Sequence, residues 1–367
     1  MERSVEGKII IISGYAGSGK DTFSSEFGKI IGCNNYVSFA ERFKGIIQDN
    51  LPKYLREKYP DNNDAEILDI LKNDDINQKV FGDMNMRDFL KNLLGGAIRS
   101  IEKDIHCIYT CKKILDIFEK DPSSNIICTD NRYENEQSYL ITINSLNTME
   151  SKKDFIRTQI SLVCESIRDK KGDFDNIFFD NLIKNNSNIT EEQRQFIDRI
   201  RYDFSKTIQE LNLESAPESK IFLPKWENKG FSDDDFLRLG VIRVFRPVVS
   251  ESFEVDGKTE DEVIRHMVEY SGTSREESKR LIDNYKDWGL GVKDLKKYGF
   301  CRTNPESPSE RELVDAGREG YVLINNYKRG IEALIDKAKY ISRRIEEISD
   351  VKKKREGSLK NHLKIKS

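Results

Sequence analysis

Residues 8–31, KIIIISGYAGSGKDTFSSEFGKII, join four consecutive isoleucines to a glycine-rich loop and then to an amphipathic segment. An unbroken β-branched run that stops at a glycine is the pattern of a strand buried on both faces. Beyond the loop, Phe23, Phe27, Ile30 and Ile31 recur at helical spacing. Strand, glycine loop, helix is the context in which G-x-x-x-x-G-K has a mechanism. Successive backbone N–H groups curl round a phosphate at the positive end of the helix dipole. Gly14, Gly19 and Lys20 fit the pattern. The N–H groups of Ala16, Gly17, Ser18, Gly19, Lys20, Asp21 and Thr22 would line the cradle, with Lys20 reaching the β- and γ-phosphates. One position departs. Asp21 stands where Ser or Thr is usual, and Thr22 follows one place late. A carboxylate beside a triphosphate is repulsive unless a cation lies between them, so Asp21 reads as a Mg²⁺ ligand. The competing reading is a first-turn charge, favourable with the helix dipole by about 0.3–1 kcal/mol.

Outward from this stretch, strand signals recur at 35–40 (NYVSFA), 125–130 (NIICTD), 239–247 (LGVIRVFRP) and 320–326 (GYVLINN). Helical periodicity separates them, and strands alternating with helices imply a parallel sheet covered on both faces. The expected fold is therefore a three-layer α/β fold on five parallel strands. Two long helical stretches, 138–237 and 250–315, interrupt the alternation and read as insertions. The expected organisation is a first core part over 1–137, a helical insertion over 138–237, a second core part over 238–350 containing the insertion 250–315, and a basic tail over 351–367. Residues 41–55 read as one helix, 51–85 as acidic and loosely patterned, and 86–101 as a helix interrupted at Gly95-Gly96. Thr273 or Ser274 is placed to cap the helix that follows it.

Composition narrows the function classes. The net charge of −3 gives no global field to recruit nucleic acid, which is not an expected partner. The basic tail reads as a solvated end. No apolar run approaches the roughly 18–20 residues a membrane span needs, and the N-terminus lacks the apolar core of a secretory signal. A cytoplasmic protein is expected, and its six scattered cysteines read as reduced thiols. Cys107 and Cys111, beside His106, have no second Cys/His pair at metal-ligand spacing and read as one face of a helix.

Other polar positions fall where chemistry is expected. Asp130 and Arg132 end the third strand signal, at the edge where open α/β sheets bind ligands. A carboxylate there can hold a Mg²⁺ water and an arginine can meet a transferring phosphoryl group; a structural ion pair is the alternative. Arg87 and Arg99, twelve apart on 86–101, would lie on similar faces of a helix. They suit bidentate recognition of a phosphate, or else sit on the solvated surface.

Six blocks carry a resemblance: SGYAGSGKDT (13–22), FAERFK (39–44), MRDFLKNLLGGAIRS (86–100), TDNRYENE (129–136), VIRVFRP (241–247) and SPSERELVDAGREGYVLINN (307–326). They occur in the same order as similar blocks of bacteriophage deoxynucleoside monophosphate kinases, and the chain resembles that family, within the P-loop nucleoside-monophosphate kinase fold. GKDT is the most specific block. The two insertions lie outside the match.

The resemblance implies transfer of the γ-phosphoryl of ATP to a deoxynucleoside monophosphate, with Mg²⁺ held by Asp21 and Asp130. It implies ATP contacts from Gly14 and Ala16 to Thr22, and from Asn325 and Asn326 near the donor adenine. Arg246, also among the implied ATP contacts, opens the lid, 250–315. Lys44, Arg87, Arg99 and Arg132 face the acceptor, the first three within region 41–110. Lys20, Asp130 and Arg132 are the implied catalytic residues. The family's His before S-x-E is absent from Ser307-Pro308-Ser309-Glu310, so no such role is carried over. Two other readings stay open: another small-molecule P-loop kinase, such as one for a phosphorylated isoprenoid precursor, and a nucleotide-binding scaffold with little turnover. The accepted base and a homodimeric state are left open as well.

Overall fold

The computed structural model describes residues 7–73, 78–82, 84–129, 131, 133–185, 188–210, 231–306 and 320–364. Strand β1 (Ile9–Ser13) is buried along its whole length, as a central parallel strand must be. The glycine loop leads into α1 (Lys20–Ile30), whose Phe23 and Phe27 stack with centroids 5.4 Å apart on its core face. β2 (Asn35–Val37), α2 (Glu41–Asp49) and α3 (Lys53–Lys58) follow. The single helix expected over 41–55 is thus two. Pro52, at φ −57° and ψ 145°, leaves helical geometry and starts α3 instead of continuing α2.

The stretch read as loosely patterned folds as α4 (Asp64–Asn73) and a small antiparallel hairpin, β3 (Lys79–Phe81) with β4 (Met84–Asn85). α5 (Met86–Leu90) winds through a π-helical segment, Lys91–Ala97, into α6 (Ile98–Ile101). The expected interruption at Gly95-Gly96 is therefore a widening to i→i+5 bonding and not a break.

Then come α7 (Ile105–Lys120), β5 (Ile126–Cys128), α8 (Glu134–Ser145), α9 (Met149–Asn185) and α10 (Glu191–Glu210). α11 (Asp233–Arg238), β6 (Val241–Phe245), α12 (Glu260–Ser271), α13 (Arg275–Asp287), α14 (Asp294–Tyr298), β7 (Tyr321–Ile324) and α15 (Gly330–Lys364) complete the described chain. Of the two capping candidates for α13, Ser274 takes the role, accepting the Glu277 N–H at 3.1 Å.

The five expected strands form one all-parallel sheet in the order β2-β5-β1-β6-β7. Ile10 pairs with Ile127 on one side and Ile12 with Ile242 on the other. The chain leaves β1 toward one edge, returns through β5 and continues on β1's other side. The carboxyl end of β1, where the glycine loop begins, is therefore the switch point of the sheet.

The described chain divides into two compact units. The first comprises residues 7–37, 117–149 and 231–364. In it Ile10, Ile12, Ile242 and Val244 pack with Phe23 and Phe27 of α1 and Leu334 and Ile341 of α15. Under α12–α14 a further core gathers Val263, Met267, Leu281, Tyr285 and Leu295 with Tyr15 of the glycine loop. The second unit comprises 38–116 and 150–210, so the stretch after β2 groups with the helical insertion. Its core is aromatic: Phe81 stacks on Phe196 at 5.1 Å, and Phe43 on Phe204 at 5.0 Å. Among the described residues no helix is long and apolar enough to cross a membrane.

Candidate functional site

The glycine loop is held by its neighbours as much as by its own conformation. Gly14 follows the last residue of β1, and the Ser18 N–H closes a tight turn onto the Tyr15 carbonyl at 3.0 Å. Gly17 and Gly19 have φ of +89° and +86°. A Cβ on Gly17 would lie 2.7 Å from the Phe300 ring, and one on Gly19 would lie 2.3 Å from Asn325 Nδ2. Both positions are closed to side chains twice over, by backbone conformation and by close approach.

Asn325, just beyond β7, donates from Nδ2 to the Ser18 carbonyl at 2.8 Å and from its backbone to the Phe245 carbonyl at 2.7 Å. The Arg302 N–H donates to the Ala16 carbonyl at 2.9 Å. Two loop carbonyls are thus tied back into the protein. Gly19, at the N-cap of α1, has no side chain to cap the helix, so the first-turn N–H groups and the dipole remain available to an anion. Ser18 is 1% exposed and its Oγ has no hydrogen-bond partner, a polar atom buried within the cradle.

At the mouth of the loop Lys20 starts α1 with its side chain 16% exposed, while that of Asp21 is 79% exposed. The Lys20 Nζ lies 3.5 Å from Asp21 Oδ2. Thr22 is exposed beside them. Magnesium is ordinarily held by one or two carboxylates, with substrate oxygens and waters completing the octahedron. An open carboxylate at the loop mouth fits that donor set. Among the described residues no group of three or more His, Cys, Asp or Glu is arranged to hold a metal ion.

Arg246 directly follows β6 and is 4% exposed. Its guanidinium lies 3.9 Å from the Phe300 ring centroid and 4.2 Å from that of Tyr327. Glu277 of α13 approaches it at 3.6 Å, and its Nε–H is buried without an acceptor. Burial pushes the Arg246 guanidinium below its ordinary pKa, and the Glu277 carboxylate opposes the shift. The Arg246 carbonyl accepts the Phe300 N–H at 2.8 Å. Asn326 uses its side chain locally, accepting the Lys328 N–H at 3.1 Å.

The residues expected to meet an acceptor belong to the second unit: Lys44 on α2, Arg87 on α5 and Arg99 on α6, each half-buried. Twelve residues of pure α-helix make about 3.3 turns. The π segment between the two arginines winds more slowly, which brings them closer to three whole turns and so to one face. His106, Cys107 and Cys111 lie on α7, where His106 Nε2 is 2.9 Å from the Leu94 carbonyl and both cysteines are buried. Asp130 and Arg132 lie outside the described residues, as does the block Ser307-Pro308-Ser309-Glu310. Asn131, between that Asp and Arg, is buried, and its Oδ1 has no hydrogen-bond partner among the described residues.

Sequence reasoning missed Phe300, Arg302 and Tyr327. Phe300 and Arg302 reach the loop from just beyond α14, and Tyr327 reaches Arg246 from beyond β7. The only local signal for the first two is Gly299, whose φ of +66° turns the chain at the end of α14. No protein-family model matches the chain, and no curated protein or solved structure matches it.

Proposed function

We propose that this chain transfers the γ-phosphoryl group of ATP to a deoxynucleoside monophosphate, releasing ADP and a deoxynucleoside diphosphate. The observation that carries the reading is the glycine loop at the carboxyl end of β1. Two of its carbonyls are tied back into the protein, it lacks a side-chain cap on α1, and it has Lys20 at the first helical position. In this reading the loop N–H groups bind the β-phosphate. Lys20 neutralises charge on the transferring group, an interaction that strengthens as the transition state forms. An acceptor phosphate oxygen attacks the γ-phosphorus in line, and the bond to the β,γ-bridging oxygen breaks.

Asp21 and Asp130 would hold Mg²⁺, which supplies charge neutralisation on the phosphates when bound. Lys44, Arg87, Arg99 and Arg132 would bind the acceptor. The lid 250–315 would exclude water that competes for the phosphoryl group. Arg302, tied by its backbone to Ala16, joins the candidate contacts to the donor phosphates. ADP release from ATP, measured against each NMP and dNMP in turn, tests the proposal. Release specific to one or more dNMPs is expected; ATP binding without release on any acceptor overturns it. That second outcome is what a nucleotide-binding scaffold predicts, a reading favoured by the size of the second unit. Release on a phosphorylated non-nucleotide alone would point to another small-molecule kinase.

A further inference from the structure

The guanidinium of Arg246 is enclosed beside the glycine loop, and its two ring neighbours are held very differently. The ring centroids of Phe300 and Tyr327 lie 3.9 and 4.2 Å from Cζ of this guanidinium. Phe300 is fixed. It is buried, its N–H is bonded to the Arg246 carbonyl, and its ring closes against Gly17. Tyr327 is 59% exposed, and its hydroxyl makes no hydrogen bond among the described residues. Its ring lies against the Arg246 guanidinium. Its backbone, two residues past Asn325, is kept next to the loop by the bond from Asn325 to the Ser18 carbonyl.

A loosely held ring over a buried cation is a place that another planar π-system can take over. Next to a phosphate cradle, the π-system at hand is the base of the bound nucleotide. We propose that Tyr327 is a displaceable cover on Arg246: the base of the donor nucleotide takes the face of the guanidinium that the tyrosine ring occupies, and the ring turns out toward solvent. Phe300 and Glu277 keep the cation in position during the exchange. The inference rests on reading the glycine loop as a nucleoside triphosphate site. An aromatic platform for the base would make Tyr327 a contributor to affinity. A cover makes it a competitor, because the uncovered fraction of the protein sets the apparent affinity. The sign of the change on removing the ring separates the two.

The test is calorimetric titration of the full chain with ATP and with inorganic tripolyphosphate, which has phosphates and no base. Tyr327→Ala and Tyr327→Leu are expected to bind ATP roughly threefold to thirtyfold more tightly than the wild type, the span that loss of one partly desolvated cation–π contact corresponds to. Both should bind tripolyphosphate as the wild type does, and Tyr327→Phe, which keeps the ring, should match the wild type with both. Leucine retains bulk if alanine perturbs the turn. Weaker or unchanged ATP binding in the folded variants, with tripolyphosphate still bound, overturns the cover alone. A wild type that binds neither probe overturns the triphosphate site and the cover with it.

Discussion

Asp21 and Lys20 show how much one position can decide. An exposed carboxylate 3.5 Å from an ammonium forms an ion pair of little worth, so the pair does not commit Asp21 to a structural role. If the carboxylate serves Mg²⁺, Asp21→Asn raises the Mg²⁺ concentration needed for half-maximal phosphoryl transfer, while Asp21→Ser, which restores a hydroxyl, keeps substantial activity. A changed melting temperature with an unchanged Mg²⁺ dependence would make Asp21 only a favourable charge in the first turn. Lys20→Ala is expected to lower transfer by about 10²–10³. Its melting temperature should stay near the wild-type value, because the ion pair its ammonium makes is with the exposed Asp21 carboxylate, a contact of little worth. Near-normal turnover in a folded Lys20→Ala protein would remove the kinase reading. These residues were legible because their roles depend on neighbours in sequence: Gly17 and Gly19 on local φ, Lys20 on the first helical position. Phe300, Arg302 and Tyr327 were not, since each meets the loop or Arg246 only after the lid stretch and β7 have folded back. No periodicity records that return.

The stretch 250–271 also contains an element-scale device. Nε2 of His266, on α12, accepts the backbone N–H of Ser250 at 3.2 Å, and the imidazole stacks on Phe253 at 3.8 Å. That hydrogen bond requires a neutral ring. Burial lowers the His266 pKa from 6.5, with Glu269 partly opposing. The folded value therefore lies below the unfolded one, and between the two the unfolded chain binds more protons. Stability from this group is present above the unfolded pKa and is lost as pH falls through the folded one. The melting temperature of the wild type should therefore fall more than that of His266→Gln on going from about pH 7.5 to about pH 5. Parallel profiles for the two proteins would exclude the histidine as the cause.

Elements were otherwise readable to the degree that their signals were long. The isoleucine run and the strand signal at 125–130 stood out because burial on both faces demands continuous apolar sequence. The hairpin of β3 and β4, three residues and two, offered too short a pattern. The π segment could not be anticipated either. Its glycines signal weakness in a helix, and only packing decides whether that weakness becomes a break or a wider turn.

At the scale of the molecule, the sequence suggested one core with two insertions; the described chain groups into two compact units, with a boundary directly after β2. Residues 38–116 follow the first strands in sequence, yet their aromatic side chains Phe43, Phe81 and Phe89 pack with Phe196 and Phe204 of α10, more than a hundred residues later. The candidate residues divide in the same way: the glycine loop, Arg246 and Asn325 belong to the first unit, and Lys44, Arg87 and Arg99 to the second. If the first set binds donor and the second acceptor, each nucleotide alone should leave its own footprint. Hydrogen exchange with a non-hydrolysable ATP analogue should slow amides in 14–24 and at 300–302, with residues 84–101 unchanged. A deoxynucleoside monophosphate alone should do the reverse, protecting 84–101. Arg87→Ala and Arg99→Ala should each remove the second footprint and spare the first, since a charge-assisted phosphate contact contributes roughly 1.5–3 kcal/mol. ATP protection that spreads over 84–101, or acceptor protection confined to the glycine loop, would mean that both nucleotides use one unit. The assignment of Arg87 and Arg99 to the acceptor would then fail.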